Sequence, residues 1–171
     1  MKKGIKIILS ALFLTAVMQT QVNAQTKIGY IDMNHLIDQM PESITAKNVY
    51  VAFQKQLTDQ LNNMYAEIDT KNKTYQVQKA TMTDAVRLAK EGELSDLQNR
   101  IQEFTEKAKS ELANKQAELS KPIVEKARQA ALAVADEKGY TYLLDSSEGM
   151  IMKAPAGDDL TIAVKSKLGI K

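Results

Sequence analysis

The chain has 171 residues, of which 44% are hydrophobic, 26% charged and 5% aromatic, with 7 Gly, 3 Pro, one His and no Cys. The missing cysteine excludes a disulfide scaffold, a thiolate nucleophile and a zinc finger, and a single histidine excludes any site that needs two imidazoles. Between Gly29 and Gly139 there is only Gly92, and a stretch so poor in breakers points to long helices.

The first residues read as an address. Met1, Lys2, Lys3 and Lys6 form a basic region, Ile7 to Met18 an apolar run of 12 residues, and Val22-Asn23-Ala24 a cleavage site. This is the pattern of a secretory signal peptide over residues 1–24, with an apolar run too short for a good membrane span. Cleavage after Ala24 predicts a mature chain of 147 residues beginning at Gln25. It also removes three lysines, which leaves 20 basic against 21 acidic residues. The basic character of the full chain therefore belongs to the signal, and no nucleic-acid partner follows from it.

In the mature chain Lys27 to Asp32 reads as a strand, with Asp32 or Asn34 capping a brief helix through Leu36, Ile37 and Met40. Pro41 suits the first turn of a long helix, where its missing N–H is no loss. Leu61, Ile68, Tyr75 and Met82 then recur every seven residues. Leu57 and Met64 fill the other seam position, which Lys71 and Gln78 continue with polar groups. That is a coiled-coil pattern whose seam becomes wetter along the chain. A second apolar series, Leu94, Leu97, Ile101, Phe104, Ala108 and Leu112, predicts the returning helix of an antiparallel hairpin. The tip falls at residues 81–84, with Thr83 or Asp84 as cap, or else at Gly92. Pro122 marks re-entry into the body, with a bend. Gly139 ends the helix, and strands follow at 140–145 and 150–153, paired as a hairpin around Ser146 to Gly149. Asp158 or Asp159 caps a last helix carrying Leu160, Val164 and Leu168.

The expected fold is α+β. Its body is built from residues 25–40 and 122–171, and its helical hairpin arm from 41–121. The arm carries 12 basic and 12 acidic side chains. No Gly-rich phosphate loop, no serine with a base and no metal-ligand cluster is present, so the sequence predicts neither an active site nor a metal or cofactor. His35 reads as structural, and Asp158 with Asp159 as a helix cap.

Three segments carry a resemblance to a known family. Lys-Ile-Gly-Tyr-Ile-Asp at 27–32 is similar to the opening strand of the OmpH/Skp family of periplasmic chaperones. Pro122 through Gly139-Tyr140-Thr141-Tyr142-Leu143-Leu144-Asp145 resembles its return helix and second strand, and Asp159-Leu160-Thr161 its final segment. The resemblance implies a periplasmic homotrimer whose arms surround unfolded outer-membrane β-barrel proteins and prevent their aggregation without ATP. It also implies a lipopolysaccharide or membrane-surface contact, for which no residue pattern carries over. On this reading Ile28, Tyr30, Tyr142, Leu144 and Ile151 belong to the trimerisation body. Tyr50, Tyr65, Lys71, Lys73, Lys79, Met82, Arg87 and Lys90 become client contacts. The near-neutral arm departs from the strongly basic arms of well-known members, which puts long-range electrostatic steering in doubt. The rival expectation is a coiled-coil spacer or adaptor of the cell envelope that binds one folded partner.

Overall fold

The computed structural model describes residues 26–170, so the signal peptide and its cleavage site lie outside the described residues. The element order is β1 (Ile28–Ile31), α1 (Met33–Asp38), α2 (Pro41–Gln78), a 3-10 turn (Lys79–Thr81), α3 (Asp84–Glu137), β2 (Tyr142–Asp145), a second 3-10 turn (Ala156–Asp158) and α4 (Thr161–Lys167). The helix starts follow local chemistry. Asp32 caps α1 by accepting the His35 N–H at 2.8 Å. Pro41 opens α2 at its first turn, and Thr83 caps α3 by accepting the Val86 N–H. Asp159 accepts the Thr161 N–H at 2.8 Å where α4 begins.

α2 has 38 residues and α3 has 54, roughly 57 Å and 81 Å at 1.5 Å per residue. They lie against each other as an antiparallel hairpin that turns at Lys79–Thr83, and Gly92 sits inside α3 where an added Cβ would meet no neighbour. α3 continues through Pro122 as one element. It ends at Glu137, and Gly139 just beyond has a φ of +70°, the left-handed conformation that glycine adopts without strain. There the Tyr140 N–H reaches back to the Ala135 carbonyl at 2.9 Å and closes the last turn.

The two strands pair in parallel, Ile28 beside Tyr142 and Tyr30 beside Leu144. One face of this small sheet packs on the core. That core gathers Ile31, Leu36, Met40, Ile123, Ala127, Ala130, Ala131, Val134, Ala135, Tyr140, Leu160 and Val164. No residue from Lys47 to Pro122 belongs to it, so packing divides the molecule into a body and a projecting arm. Alanines at 127, 130, 131 and 135 keep α3 slim where the sheet, α1 and α4 all press on it.

One expectation is corrected. Met150 to Lys153 forms no strand, and no hairpin follows β2. Gly149 turns the chain at φ +71°, the Met150 and Met152 side chains stand in solvent, and Ile151 is half-buried. The free edge of β1 is taken further along the chain, where the Leu160 N–H donates to the Tyr30 carbonyl at 2.9 Å and Asp159 bridges Tyr30 in parallel. The alternation Met-Ile-Met-Lys is a strand pattern without a buried face to sit on. Met150 and Met152 therefore do not lie in the sheet.

Two contacts tie the chain ends. Asp145, at the end of β2, accepts the Ser147 N–H at 2.9 Å and the Met33 N–H at 3.3 Å. Partial burial pushes its carboxyl up, but the Ser147 and Met33 hydrogen bonds outweigh that and hold it below the ordinary 3.8. A depressed carboxylate contributes stability that is present above the unfolded value and is lost as pH falls through the folded one. Asp145→Asn is therefore expected to lower stability by about 1 kcal/mol at pH 7, discounted for solvent screening. The difference from wild type should shrink as pH falls through the lowered value of the folded carboxyl; urea unfolding at pH 7 and across the acid range checks this. Gly29 is the second tie. A Cβ there would meet Tyr140 Cδ1 at 3.0 Å and Leu160 Cδ1 at 3.2 Å. Tyr140 cannot easily give way, because its hydroxyl donates to Asp158 at 3.1 Å and Lys27 sits over its ring at 4.0 Å. Gly29→Ala is expected to destabilise the body by about 1–3 kcal/mol, read by thermal unfolding.

Candidate functional site

The arm is held by a thin seam. Along α2 only Leu57 and Tyr75 are buried, while Leu61, Met64 and Ile68 are half-buried, as is Met82 in the turn beyond, and Lys71 and Gln78 are exposed. On α3 the buried arm residues are Leu97, Ile101 and Ala108. A seam with so few buried side chains leaves the helices in contact but loosely locked. Near the tip it is closed by one polar contact: the Tyr75 hydroxyl donates to the Glu91 carboxylate across the helices. That bond, with partial desolvation, holds the phenol above its ordinary value. Lys79 lies over the Tyr75 ring at 5.4 Å.

The basic residues singled out from the sequence do not form one patch. Lys71 pairs with Glu67 at 3.7 Å, Lys73 with Asp69 at 2.6 Å and Lys90 with Glu93 at 2.8 Å, while Arg87 pairs with Asp84. Two of these pairs lie within α2 and two within α3, each at three- or four-residue spacing. Lys79 is in no ion pair among the described residues. Lys71, Lys90 and Met82 do meet, around a cleft of about 140 Å³ beneath the tip that Glu93 also lines. The Lys90 hydrogen bond, assisted by the Lys71 charge, lowers the Glu93 carboxyl below its ordinary range.

The tyrosines are spread along the arm. Tyr65 is half exposed, beside a groove lined by Ile68, Leu94 and Gln98. Tyr50 lies at the arm's base, at the wall of a groove of about 360 Å³ whose floor is Ile37, Ala46, Leu119, Ile123 and Val124. The sequence reading missed a further set of apolar side chains that face outward: Ile44, Val49, Val51, Val77, Val86 and Leu88. Val77 is 83% exposed and Leu88 73%. These residues stand off the heptad positions, so subtracting the seam from the list of apolar residues would have found them.

In the body, the sheet face turned away from the core is also apolar. Ile28 and Tyr142 are neighbours across the strands, as are Tyr30 and Leu144, and Ile28, Tyr142 and Leu144 are 49%, 57% and 45% exposed. No group of three or more His, Cys, Asp or Glu side chains that could hold a metal ion occurs among the described residues. No helix among them is long and apolar enough to cross a membrane.

A family model described as outer membrane protein (OmpH-like) matches residues 27–168. The chain belongs to the OmpH-like family. The fold agrees. A solved structure of an OmpH-like outer membrane chaperone from Caulobacter crescentus CB15 superposes with a TM-score of 0.74 at 15% sequence identity, covering 88% of each chain. At that identity the likeness speaks for the α+β hairpin fold alone. A comparison with curated protein sequences finds no match.

The Tyr75–Glu91 contact in this OmpH-like arm is open to a direct test. Tyr75→Phe keeps the ring but removes the donor, and should speed amide hydrogen exchange between residues 68 and 94. Tyr75→Ala should speed it further, with exchange in the body unchanged. Equal protection in wild type and both variants would mean that the contact does not hold the tip.

Proposed function

We propose that the protein is a periplasmic holdase. In this reading a homotrimer gathers unfolded outer-membrane β-barrel proteins between three arms and keeps them from aggregating. The observation that carries the reading is the combination of a loosely locked arm with outward apolar side chains and internally paired charge. An unfolded membrane-barrel chain presents alternating apolar residues and aromatic girdles, and many shallow apolar contacts along an arm hold such a chain without choosing one sequence. Tyr50, Tyr65, Met82, Val77 and Leu88 are the contacts this reading favours. Lys71, Lys73, Lys79, Arg87 and Lys90 serve mainly to keep the arm soluble.

Assembly is supported by the sheet. Two four-residue strands are too few to be stable alone, and the Ile28, Tyr30, Tyr142 and Leu144 face is left in water by one copy. A second and third copy would cover it. The signal sequence supports export, with cleavage after Ala24 giving a chain that starts at Gln25.

The decisive experiment dilutes a urea-unfolded outer-membrane barrel protein into the mature protein and follows light scattering, with complex mass read by size-exclusion light scattering. Suppressed aggregation, with one client per three chains, is expected. A well-folded trimer that leaves aggregation unchanged would overturn the holdase in favour of an adaptor for one folded partner. Two variants sharpen the outcome. Deleting residues 60–105 should remove holding while leaving assembly intact. Replacing Lys71, Lys73, Lys79, Arg87 and Lys90 with Gln should weaken capture only about two- to threefold, since exposed pairs of this kind contribute little. Loss of capture in the charge variant would show that charge, not apolar contact, leads.

A further inference from the structure

At the base of the arm the hairpin seam passes through its smallest member. Followed from Leu57 back toward Pro41, the half-buried apolar residues of α2 are Phe53, Tyr50 and Ala46, at steps of four, three and four. The single methyl of Ala46 leaves open the space that a ring or a leucine takes higher on the arm. Two grooves result, of about 360 Å³ and about 570 Å³, and Ala46, Leu119 and Ile123 line both. Lys47 and Tyr50 flank the first and Glu42 and Val49 the second. At about 100° per residue these pairs stand on opposite sides of Ala46, so the grooves open on opposite faces of the helix pair.

The two rims differ. At the larger groove Lys126 donates to the Glu42 carboxylate, so its charges already satisfy each other. The smaller groove has the Tyr50 ring as a wall and exposed Val124 on its floor. Its rim carries Asp38, Lys47, Gln116 and Ser120. Asp38 and Lys47 are in no ion pair among the described residues. One charge of each sign favours neither an anionic nor a cationic guest. Acceptors and donors together match the N–H and C=O groups of a peptide backbone. The groove holds one ring with its flanking peptide groups. That contact is far smaller than the roughly 1,200 Å² that a stable protein–protein interface buries, so it suits a side chain of a flexible chain better than a second folded copy.

The geometry points to the smaller groove as a binding site for one aromatic side chain of an extended, uncharged polypeptide segment. The guest ring lies against Tyr50 and over Leu119, Ile123 and Val124, in the place that a larger residue at position 46 would fill. Ring against ring favours an aromatic guest over an aliphatic one. The identity of the segment, an aromatic girdle residue of an unfolded barrel protein, rests on the holdase reading. Such a site gives an otherwise shallow and unselective surface one anchor at the base of the arm.

The chain has no Trp, so N-acetyl-tryptophanamide titrated into the mature protein can be followed by its own fluorescence, and its position by methyl NMR. A blue-shifted emission is expected, with saturable shifts confined to the methyls of Ile37, Ala46, Leu119, Ile123 and Val124. N-acetyl-leucinamide should bind about two- to tenfold more weakly. Ala46→Leu should remove binding without lowering the thermal unfolding midpoint. If Ala46→Leu fails to fold, Val124→Asp, which changes only the smaller groove, should also remove binding, whereas Val49→Asp in the larger groove should not. An unfolded outer-membrane barrel protein should displace the probe. No saturable shifts, shifts centred on Val77 and Leu88, or equal binding of the leucine analogue would overturn the site. Binding seen only in protein diluted to single chains would show that a second copy fills the groove, and would overturn it as well. Probe binding without suppressed aggregation would leave the site standing and remove the holdase; suppressed aggregation without probe binding would do the reverse.

Discussion

The parallel pairing of β1 with β2 is the constraint on which the rest of the molecule depends. Ile28 lies beside Tyr142 and Ile31 beside Asp145, so residues more than a hundred positions apart must meet. Strands of the same direction cannot be joined by a tight turn and need a long crossover. Here the crossover is the whole arm: the chain leaves the sheet through α1, climbs α2, turns at Lys79–Thr83 and descends α3. Everything that fixes the body acts on the two feet of that crossover. Asp145 reaches the Met33 N–H at the start of α1, and Gly29 lets Tyr140 and Leu160 close over the sheet.

Most of this was legible from residue pattern. The seven-residue recurrence from Leu61 to Met82, the proline before it and the capping threonine after it describe an arm and its turn, because helix periodicity and caps are local properties. Sheet pairing is not local. Met150-Ile151-Met152-Lys153 has the alternation of a strand, yet the partner edge was taken by the backbone at Asp159 and Leu160, and no pattern within residues 150–153 records that competition. The direction of pairing was hidden for the same reason, since an adjacent hairpin is the economical reading whenever two strand-like runs flank a glycine turn. Pro122 carried a mixed message: it stands where the arm meets the body, but α3 runs on through it.

The arm surface was read less well than the arm itself. Lys71, Lys73, Lys79, Arg87 and Lys90 were read as client contacts near the tip. Four of the five are matched by a carboxylate one turn away on their own helix. Charge pairing at three- and four-residue spacing is visible in a sequence once a helix is assumed. The outward side chains of Val77, Val86 and Leu88 were overlooked because the search for apolar residues stopped at the seam. A helix in an isolated hairpin has most of its surface in water, and what it places there is as informative as what it hides.

The parallel sheet has a kinetic side. During synthesis Ile28 emerges long before Tyr142, and a disordered chain of that separation would close slowly and at high entropy. The hairpin shortens the search. Helices form and pair through local contacts, and once α2 and α3 lie together their feet are neighbours, whatever the distance to the tip. The sheet then closes across a gap set by the width of two helices, not by the contour of the chain. Arm length is thereby uncoupled from the difficulty of closing the body. Matched heptads could be added to or removed from both helices with little effect on the final folding step, which leaves the reach of the arm free to vary.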